Sequence, residues 1–379
     1  MRTILHVTET GGPGGAETVF TQLATHVWKL QFRNLAAIPD PGWVADTVTS
    51  AGLTPLHVAI SRTRPALDFG LYANLVHLIR EHHVDLVHSH AFGMSVYACL
   101  AGLRTRTPVL CTLHGEVDLG RQDRRRAIKL GILRLGASKI VLVSNHLRDQ
   151  LLSESRIPER LTAVVPNGVD CDLHSGGPDE TLRAEFGISG DAFLFGAIGN
   201  VRPPKAYDNL LRAAAIAVQV NSNLRFLVVG EGSGSLLEDL LRLRAGLGLQ
   251  KIVHFAGFRP DVTVPLRNFD AFVLASRSEG FSIATVQAMA SGLPVVATKS
   301  GGPEEIVTDG EDGLLVPRED PDALAAAMLR VAADETLRRN LGNTARASAR
   351  NKFSLTKMLE SYDQIYREAL GLNGHAPER

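Results

Sequence analysis

The sequence predicts an α/β protein made of two doubly wound parallel sheets. Short runs rich in Val, Ile and Leu alternate with amphipathic stretches along nearly the whole chain, as expected for strands covered on both faces by helices. The alternation breaks in DCDLHSGGPDE, from Asp170 to Glu180, a polar stretch with Gly and Pro and no periodicity, and then restarts. The length, 379 residues, is also too great for one ordinary core.

Taken in order, the first half gives strands at 3–7, 33–38, 56–59, 86–88, 109–112, 140–143 and 163–165. Helical spacing lies between most of them, at 16–30, 67–82, 124–135 and 145–152. After the break, strands are expected at 193–198, 224–229, 252–255, 271–274 and 295–297, again separated by helices. A last helix is expected over 353–370, ending at Gly371, with a disordered tail over 372–379. The domains are thus 1–172 and 173–355. Sheets of this kind bind ligands beyond the carboxyl ends of their strands, so two facing domains would enclose a cleft.

Composition narrows the function. Forty Lys and Arg balance forty Asp and Glu, which argues against a nucleic-acid binder that relies on bulk basicity. Aromatics at 6% leave few platforms for stacked bases. Cys99, Cys111 and Cys171 form no CxxC pair, which excludes a disulfide framework and a cysteine-rich zinc site and fits a reducing compartment. MRTILHVTET reads as a buried strand rather than a signal peptide, and no apolar run is long enough to span a bilayer. A cytoplasmic protein is expected, with contact at the inner membrane face left open.

The motifs fall where strands end. GGPGGAE, from Gly11 to Glu17, puts four glycines before a helix, a backbone that an anion can approach closely; a plain strand-to-helix turn is the alternative, and it needs fewer glycines. The loop is not the G-x-G-x-x-G fingerprint and the second strand does not end in an acid, so a nicotinamide cofactor is not expected. DLVHSHAFG and CTLHGE place His88, His90 and His114 just past strand ends. These can cap strands or ligate a metal; no matching carboxylate spacing supports a metal, and none is expected. His114, followed by Gly115, is the one best suited to face a ligand. PNGVD, from Pro166 to Asp170, reads as a structural turn.

In the second half, GNVRPPKAYDNLL sets Arg202 and Lys205 in a loop before a helix. Cations are disfavoured at a helix N-terminus unless an anion sits there, and a diphosphate fits; a solvated loop with two chance charges is the alternative. SEGFSIATVQAMASG sets Glu279 and Gln287 eight positions apart, suited to vicinal hydroxyls, with Phe281 and Ser282 opening a helix whose amides can meet phosphate. Glu279 alone could be a helix-start acid favoured by the dipole.

Together, GGPGGAE, LHGE, PNGVD, GNVRPPKAYDNLL, VGEG and SEGFSIATVQAMASGLPVVAT stand in the order found in glycosyltransferase family 4. The chain resembles that family from Ile4 to about Tyr366, most specifically in its second half. The resemblance implies a retaining, nucleotide-sugar-dependent enzyme of the GT-B fold, two Rossmann-like domains facing across a cleft. It implies that Arg202 and Lys205 hold the donor diphosphate, with backbone amides of Gly14 and Gly15 and of Phe281, Ser282 and Ile283. Glu279 would contact donor-sugar hydroxyls, and His114 would lie beside donor sugar and acceptor. A C-terminal helix, 356–371, would cross back to the first domain. The nucleotide-diphosphate sugar is a substrate; no cofactor and no metal are implied. The acceptor would be a glycan or lipid-linked hydroxyl in polysaccharide or glycolipid synthesis, and nucleic acid is not a partner.

Two positions depart from the family pattern. Gln287 replaces a second Glu that commonly binds the ribose, which leaves nucleotide preference open. Lys205-Ala206 replaces Lys-Gly, a change expected to be mild. Arg121 to Lys139 carries seven Lys and Arg against one acid, interleaved with Ile and Leu. That segment reads equally as a helix resting on an anionic membrane or as a surface helix packed on the sheet. A sugar-nucleotide 2-epimerase and a catalytically weak binding subunit of the same fold are the alternatives to transfer.

Overall fold

The computed structural model describes residues 1–26, 32–39, 41–60, 68–173 and 180–372. The chain divides into two compact units, one of Met1–Asn167 with the segment from Thr356 onward, the other of Gly168–Leu355.

The first unit runs β1 (Thr3–Val7), α1 (Gly15–His26), β2 (Arg33–Ile38), α2 (Trp43–Ser50), β3 (Leu56–His57), α3 (Phe69–Glu81), β4 (Leu86–His90) and α4 (Phe92–Thr105). It continues with β5 (Val109–Leu113), α5 (Arg126–Gly136), β6 (Lys139–Leu142), α6 (Asn145–Glu154) and β7 (Thr162–Val164). Its seven strands are all parallel, in the order β3-β2-β1-β4-β5-β6-β7. β1, β4 and β5 are buried at every residue, as a sheet covered on both faces requires.

The second unit runs α7 (Glu180–Glu185), β8 (Phe193–Ile198), α8 (Tyr207–Val220), β9 (Leu224–Val229), α9 (Gly234–Gly246), β10 (Val253–Phe255), α10 (Thr263–Asn268) and β11 (Ala271–Leu274). Then come α11 (Ile283–Ala290), β12 (Val295–Thr298), α12 (Pro303–Ile306), β13 (Leu314–Val316), α13 (Pro321–Ala333) and α14 (Glu335–Lys352). Six parallel strands stand in the order β10-β9-β8-β11-β12-β13. Phe195 and Phe226 stack at 5.4 Å in a core that α8 and α13 close with Leu210, Leu211, Leu324 and Met328.

The last helix, α15 (Leu355–Ala369), belongs to the first unit from Thr356 onward, and its Tyr362 and Tyr366 are wholly buried there. It begins two residues later than expected. Val169 N donates to Phe353 O (2.9 Å) and Leu355 N donates to Val169 O (2.8 Å), a strand-like exchange that breaks the helical path between α14 and α15.

Seven elements were not expected from the sequence: α2, α4, α7, α12, β13, α13 and α14. α2 has only eight residues, short for a periodic signal. α4 is apolar nearly all round and buried at eight of its fourteen residues, so it shows no amphipathic stripe. β13 is three residues squeezed between Gly313 and Pro317. Of the expected elements, 27–30 of the first helix, Leu67, most of the Asp170–Glu180 break and 373–379 of the tail lie outside the described residues.

Candidate functional site

In both sheets the strand order reverses once, between β1 and β4 and between β8 and β11. Loops leaving adjacent strands in opposite directions open a crevice at such points. The candidate residues lie in those loops or in the helices they lead into, apart from His114, which follows β5.

In the second unit, Val201 to Ala206 follows β8. Arg202 is extended and exposed, starts a single 3-10 turn over Pro203–Lys205, and accepts from Lys205 N through its own carbonyl (3.0 Å). Its side chain makes no ion pair among the described residues. Ala206 follows at φ 49°, ψ 45°, in the left-handed region, and ends this turn while opening α8. The change from Lys-Gly is therefore not mild: Ala206 sits where the backbone favours glycine.

Lys205 turns inward. Its Nζ donates to Glu279 Oε1 at 2.7 Å, and the same oxygen accepts from Ser276 Oγ at 2.6 Å. Glu279 is only 9% exposed. The loop that carries it is laced to the loop after β12: Glu279 N donates to Ser300 O (2.8 Å) and Gly302 N to Glu279 O (2.9 Å). A Cβ at Gly302 would lie 2.6 Å from Gly280 O, so only glycine allows this approach. The loops after β8 and β11 are clamped together as well. Arg277 reaches both carboxylate oxygens of Asp208 (3.0 and 2.7 Å) and also Glu319 (2.8 Å), while Arg277 N donates to Pro204 O (2.7 Å). Hydrogen bonds to those two carboxylates raise the guanidinium pKa further.

Ser282 caps α11, its Oγ accepting from Thr285 N (3.3 Å). The first-turn amides at Ile283 have no acceptor within the helix and remain available to an anion. The Phe281 ring is spent on packing, edge-on to Phe353 at 5.7 Å. Gln287 lies one turn beyond Ile283, half-buried.

In the first unit, Gly15 opens α1 and the Gly14 carbonyl accepts from Thr18 N (2.9 Å). None of Gly11, Gly12, Gly14 and Gly15 has a positive φ, and a Cβ at Gly12 would meet nothing within 4 Å. Strain demands none of these glycines and packing does not demand Gly12, whereas a Cβ at Gly14 would collide with the Glu17 carboxylate.

His114 follows β5. Its backbone N donates to Asp118 Oδ2 (2.7 Å), and Asp118 Oδ1 accepts from Phe92 N (3.2 Å), so one carboxylate fixes both the His114 turn and the start of α4. Burial pushes the His114 ring down to about 3, so it is neutral in ordinary solution. Glu9, after β1, accepts from Met94 N (3.0 Å). Burial raises the carboxyls of Glu9 and Asp118, and the Asp118 charge raises Glu9 further.

His88 and His90 do not stand past a strand end: β4 includes both, and both are fully buried. The Arg121 to Lys139 segment is also corrected. Its helix begins at Arg126, and Leu130 and Leu133 pack inward. Arg121 and Arg126 pair with Glu154, Lys129 with Asp123, and Lys139 bonds Arg160 O, so four of the seven cations are already used within the fold. Sequence reasoning missed Glu9, Asp118, Asp208, Ser276 and Arg277. The acid four residues after His114 and the arginine two before Glu279 were the available signals.

Comparison with known proteins shows the family. The family described as Glycosyltransferase Family 4 matches residues 13–173, and Glycosyl transferases group 1 matches 178–348. A D-inositol 3-phosphate glycosyltransferase of Geodermatophilus obscurus is 33% identical over 308 residues, 76% of this chain and 67% of that one. An N-acetyl-alpha-D-glucosaminyl L-malate synthase of Bacillus anthracis is 28% identical over 313 residues, 81% and 80% of the two chains. Anabaena Alr3699/HepE, solved in complex with UDP-glucose, shares the fold at a TM-score of 0.87 with 23% identity, covering 97% of this chain and all of its own. With two parallel-sheet units, each carrying its motifs beyond the strand ends, the chain belongs to glycosyltransferase family 4 and is a glycosyltransferase of the GT-B fold.

Proposed function

We propose that the chain transfers a sugar from a UDP-sugar to a hydroxyl acceptor with retention of the anomeric configuration, in polysaccharide or glycolipid synthesis. The observation that carries this reading is the meeting of Lys205 and Glu279, one from each loop flanking the β8/β11 reversal (2.7 Å). A cation for a diphosphate and a carboxylate for sugar hydroxyls stand side by side where such sheets hold ligands. The choice of uridine draws on the UDP-glucose complex of the structural neighbour.

In this reading, breaking the anomeric C–O bond puts negative charge on the departing diphosphate. Arg202, Lys205 and the first amides of α11 stabilise it, so no metal is needed at that point. Glu279 orients the sugar through its hydroxyls. His114, neutral and fixed by Asp118, serves the acceptor side as a hydrogen-bonding group. The acceptor attacks from the face the diphosphate leaves, and the diphosphate takes the acceptor proton. Gln287 offers the ribose an amide in place of a carboxylate.

The exposed face of α5 belongs to the same reading as the side that rests on an anionic membrane bearing the acceptor. Ile128 and Leu135, seven residues apart, are 67% and 76% exposed, beside the exposed Arg124, Arg125 and Arg134.

Thermal-shift titration with UDP, GDP, ADP and dTDP and their sugar conjugates, beside an Arg202→Ala/Lys205→Ala variant, tests the donor site. A shift selective for uridine and lost in the variant is expected, with transfer independent of added Mg2+. The product's anomeric configuration, read by NMR, tests retention. No shift with any nucleotide would favour a binding subunit, and donor turnover without acceptor to a C2 epimer would favour the epimerase.

A further inference from the structure

The same face of the first sheet carries a row of imidazoles that the transfer reading does not use. His6 on β1 is in register with His88 on β4, and His90 stands two residues further along that strand. Neighbouring strands in parallel register present such residues on one face. The rings of His6 and His88 lie 5.5 Å apart and those of His88 and His90 4.4 Å apart. One nitrogen from each of the three lies within 4.8 Å of the others.

The hydrogen bonds of these rings leave a specific gap. His6 Nε2 is bonded to Asn34 Oδ1 (3.1 Å), while His6 Nδ1 is buried with no partner. His90 Nδ1 is bonded to His114 Nε2 (3.0 Å), while His90 Nε2 is buried with no partner. A buried polar atom left unpaired costs about 1–3 kcal/mol and calls for a water or an ion. One nitrogen tied to an outer group and the other free is also how metal-bound imidazoles are held. His88 is bonded on both sides, to the Tyr366 hydroxyl (2.7 Å) and to Thr112 Oγ1 (2.7 Å). Either hydroxyl can give up its nitrogen to an ion while the other accepts from the remaining N–H. Phe20 closes the site, edge-on to His6 and His90 at 6.3 and 5.3 Å.

We propose that His6, His88 and His90 form a buried site for one divalent transition-metal ion of the Zn2+ type. Three neutral imidazoles are the ligand set such an ion prefers. Ligands about 2.0–2.1 Å from Zn2+ at tetrahedral angles stand about 3.3 Å apart, so the rings close by small rotations. Bound through Nε2, His90 must carry its proton on Nδ1 and donate to His114 Nε2. The ion thereby fixes the tautomer of His114 and ties β1 and β4 together beneath α15.

The test uses the full-length chain without a histidine tag, stripped by chelator in denaturant and refolded with Co2+ or Zn2+. Because His77 on α3 and His82 just past its end both approach Glu81 (3.0 and 3.9 Å), all arms use a His77→Ala/His82→Ala background. One Co2+ per chain with the visible bands of a tetrahedral nitrogen site is expected, displaced by Zn2+, with affinity lowered about a hundredfold or more in His6→Gln and His90→Gln. Where those variants fail to fold, 15N-histidine labelling of the background protein decides: Zn2+ should move the nitrogen resonances of His6, His88 and His90, with His114 following as its tautomer is fixed, and of no exposed histidine. No stoichiometric uptake, uptake unchanged in folded variants, or shifts confined to exposed histidines would overturn the proposal, and a bridging water would then account for the orphaned nitrogens.

Discussion

Lys205 Nζ lies 2.7 Å from Glu279 Oε1 and joins two loops that leave adjacent strands at the reversal of the second sheet. Both side chains are mostly buried, at 22% and 10% exposure. Truncating one therefore leaves the other charge poorly compensated. Lys205→Met is expected to lower unfolding free energy by about 1–3 kcal/mol, measured by urea denaturation, and to weaken UDP binding at least tenfold. Glu279→Gln keeps a partner in Ser276 and should cost less. In a double-mutant cycle the coupling should shrink when UDP is saturating, because the diphosphate takes over the ammonium. Coupling that is unchanged by UDP would place the phosphates elsewhere.

Ala206, which ends that turn, holds φ 49°, ψ 45°. An L-residue there costs about 1–2 kcal/mol, partly offset by the larger unfolded-state entropy of glycine. Ala206→Gly is thus expected to raise stability by about 0.5–1 kcal/mol, with the thermal midpoint as the measurement. Reduced stability would mean that the Ala206 methyl, which is buried, contributes more through packing than the backbone loses.

Much of this was legible in the sequence because a parallel sheet buries whole strands. Runs such as TILHV and LRFLVV are apolar but for Thr3, His6 and Arg225, and the glycine-rich turns mark their ends. Arg202, Lys205 and Glu279 stood out for a related reason: they are charges in loops between an apolar strand and a helix. What stayed hidden depended on partners distant in sequence. Glu9 acts on Met94, Asp208 on Arg277, and Tyr366 on His88, 278 residues away. His88 and His90 read as strand caps because the apolar run of β4 ends before the strand does, and in a parallel sheet two residues separate a loop from the core.

The α5 surface makes its own prediction. With Arg121, Arg126 and Lys129 already paired, the cations left for a membrane are Arg124, Arg125 and Arg134. Each basic residue near an anionic surface is worth about 1 kcal/mol. Sedimentation with anionic liposomes at low salt should retain the protein. Arg124→Glu/Arg125→Glu should abolish retention, whereas Arg121→Ala should lower it little. Equal loss in both variants, or none, would return α5 to an ordinary surface helix.

The buried imidazoles set the acid limit of the fold. Burial pushes His6 from 6.5 down to about 4 and His114 to about 3, and holds His88 and His90 well below the usual range. A lowered pKa in the folded chain means that unfolding takes up protons. Stability is therefore complete above the unfolded value of 6.5 and falls as pH drops toward about 4 for His6 and about 3 for His114. Each ring contributes about 1.4 kcal/mol per pH unit once the unfolded form is protonated. Glu9 and Asp118 act in the opposite sense: their raised carboxyls add stability as pH falls and lose it as pH rises through their folded values. Those gains accrue as pH falls through the raised values toward the ordinary 4.5 and 3.8, inside the histidine window, and offset part of the loss there. In chelator-treated protein the urea midpoint should fall steeply from about pH 7 to about pH 5, and His114→Asn should flatten that fall by the equivalent of one proton. A midpoint that holds steady or rises over this range would mean that the rings are already charged in the folded chain.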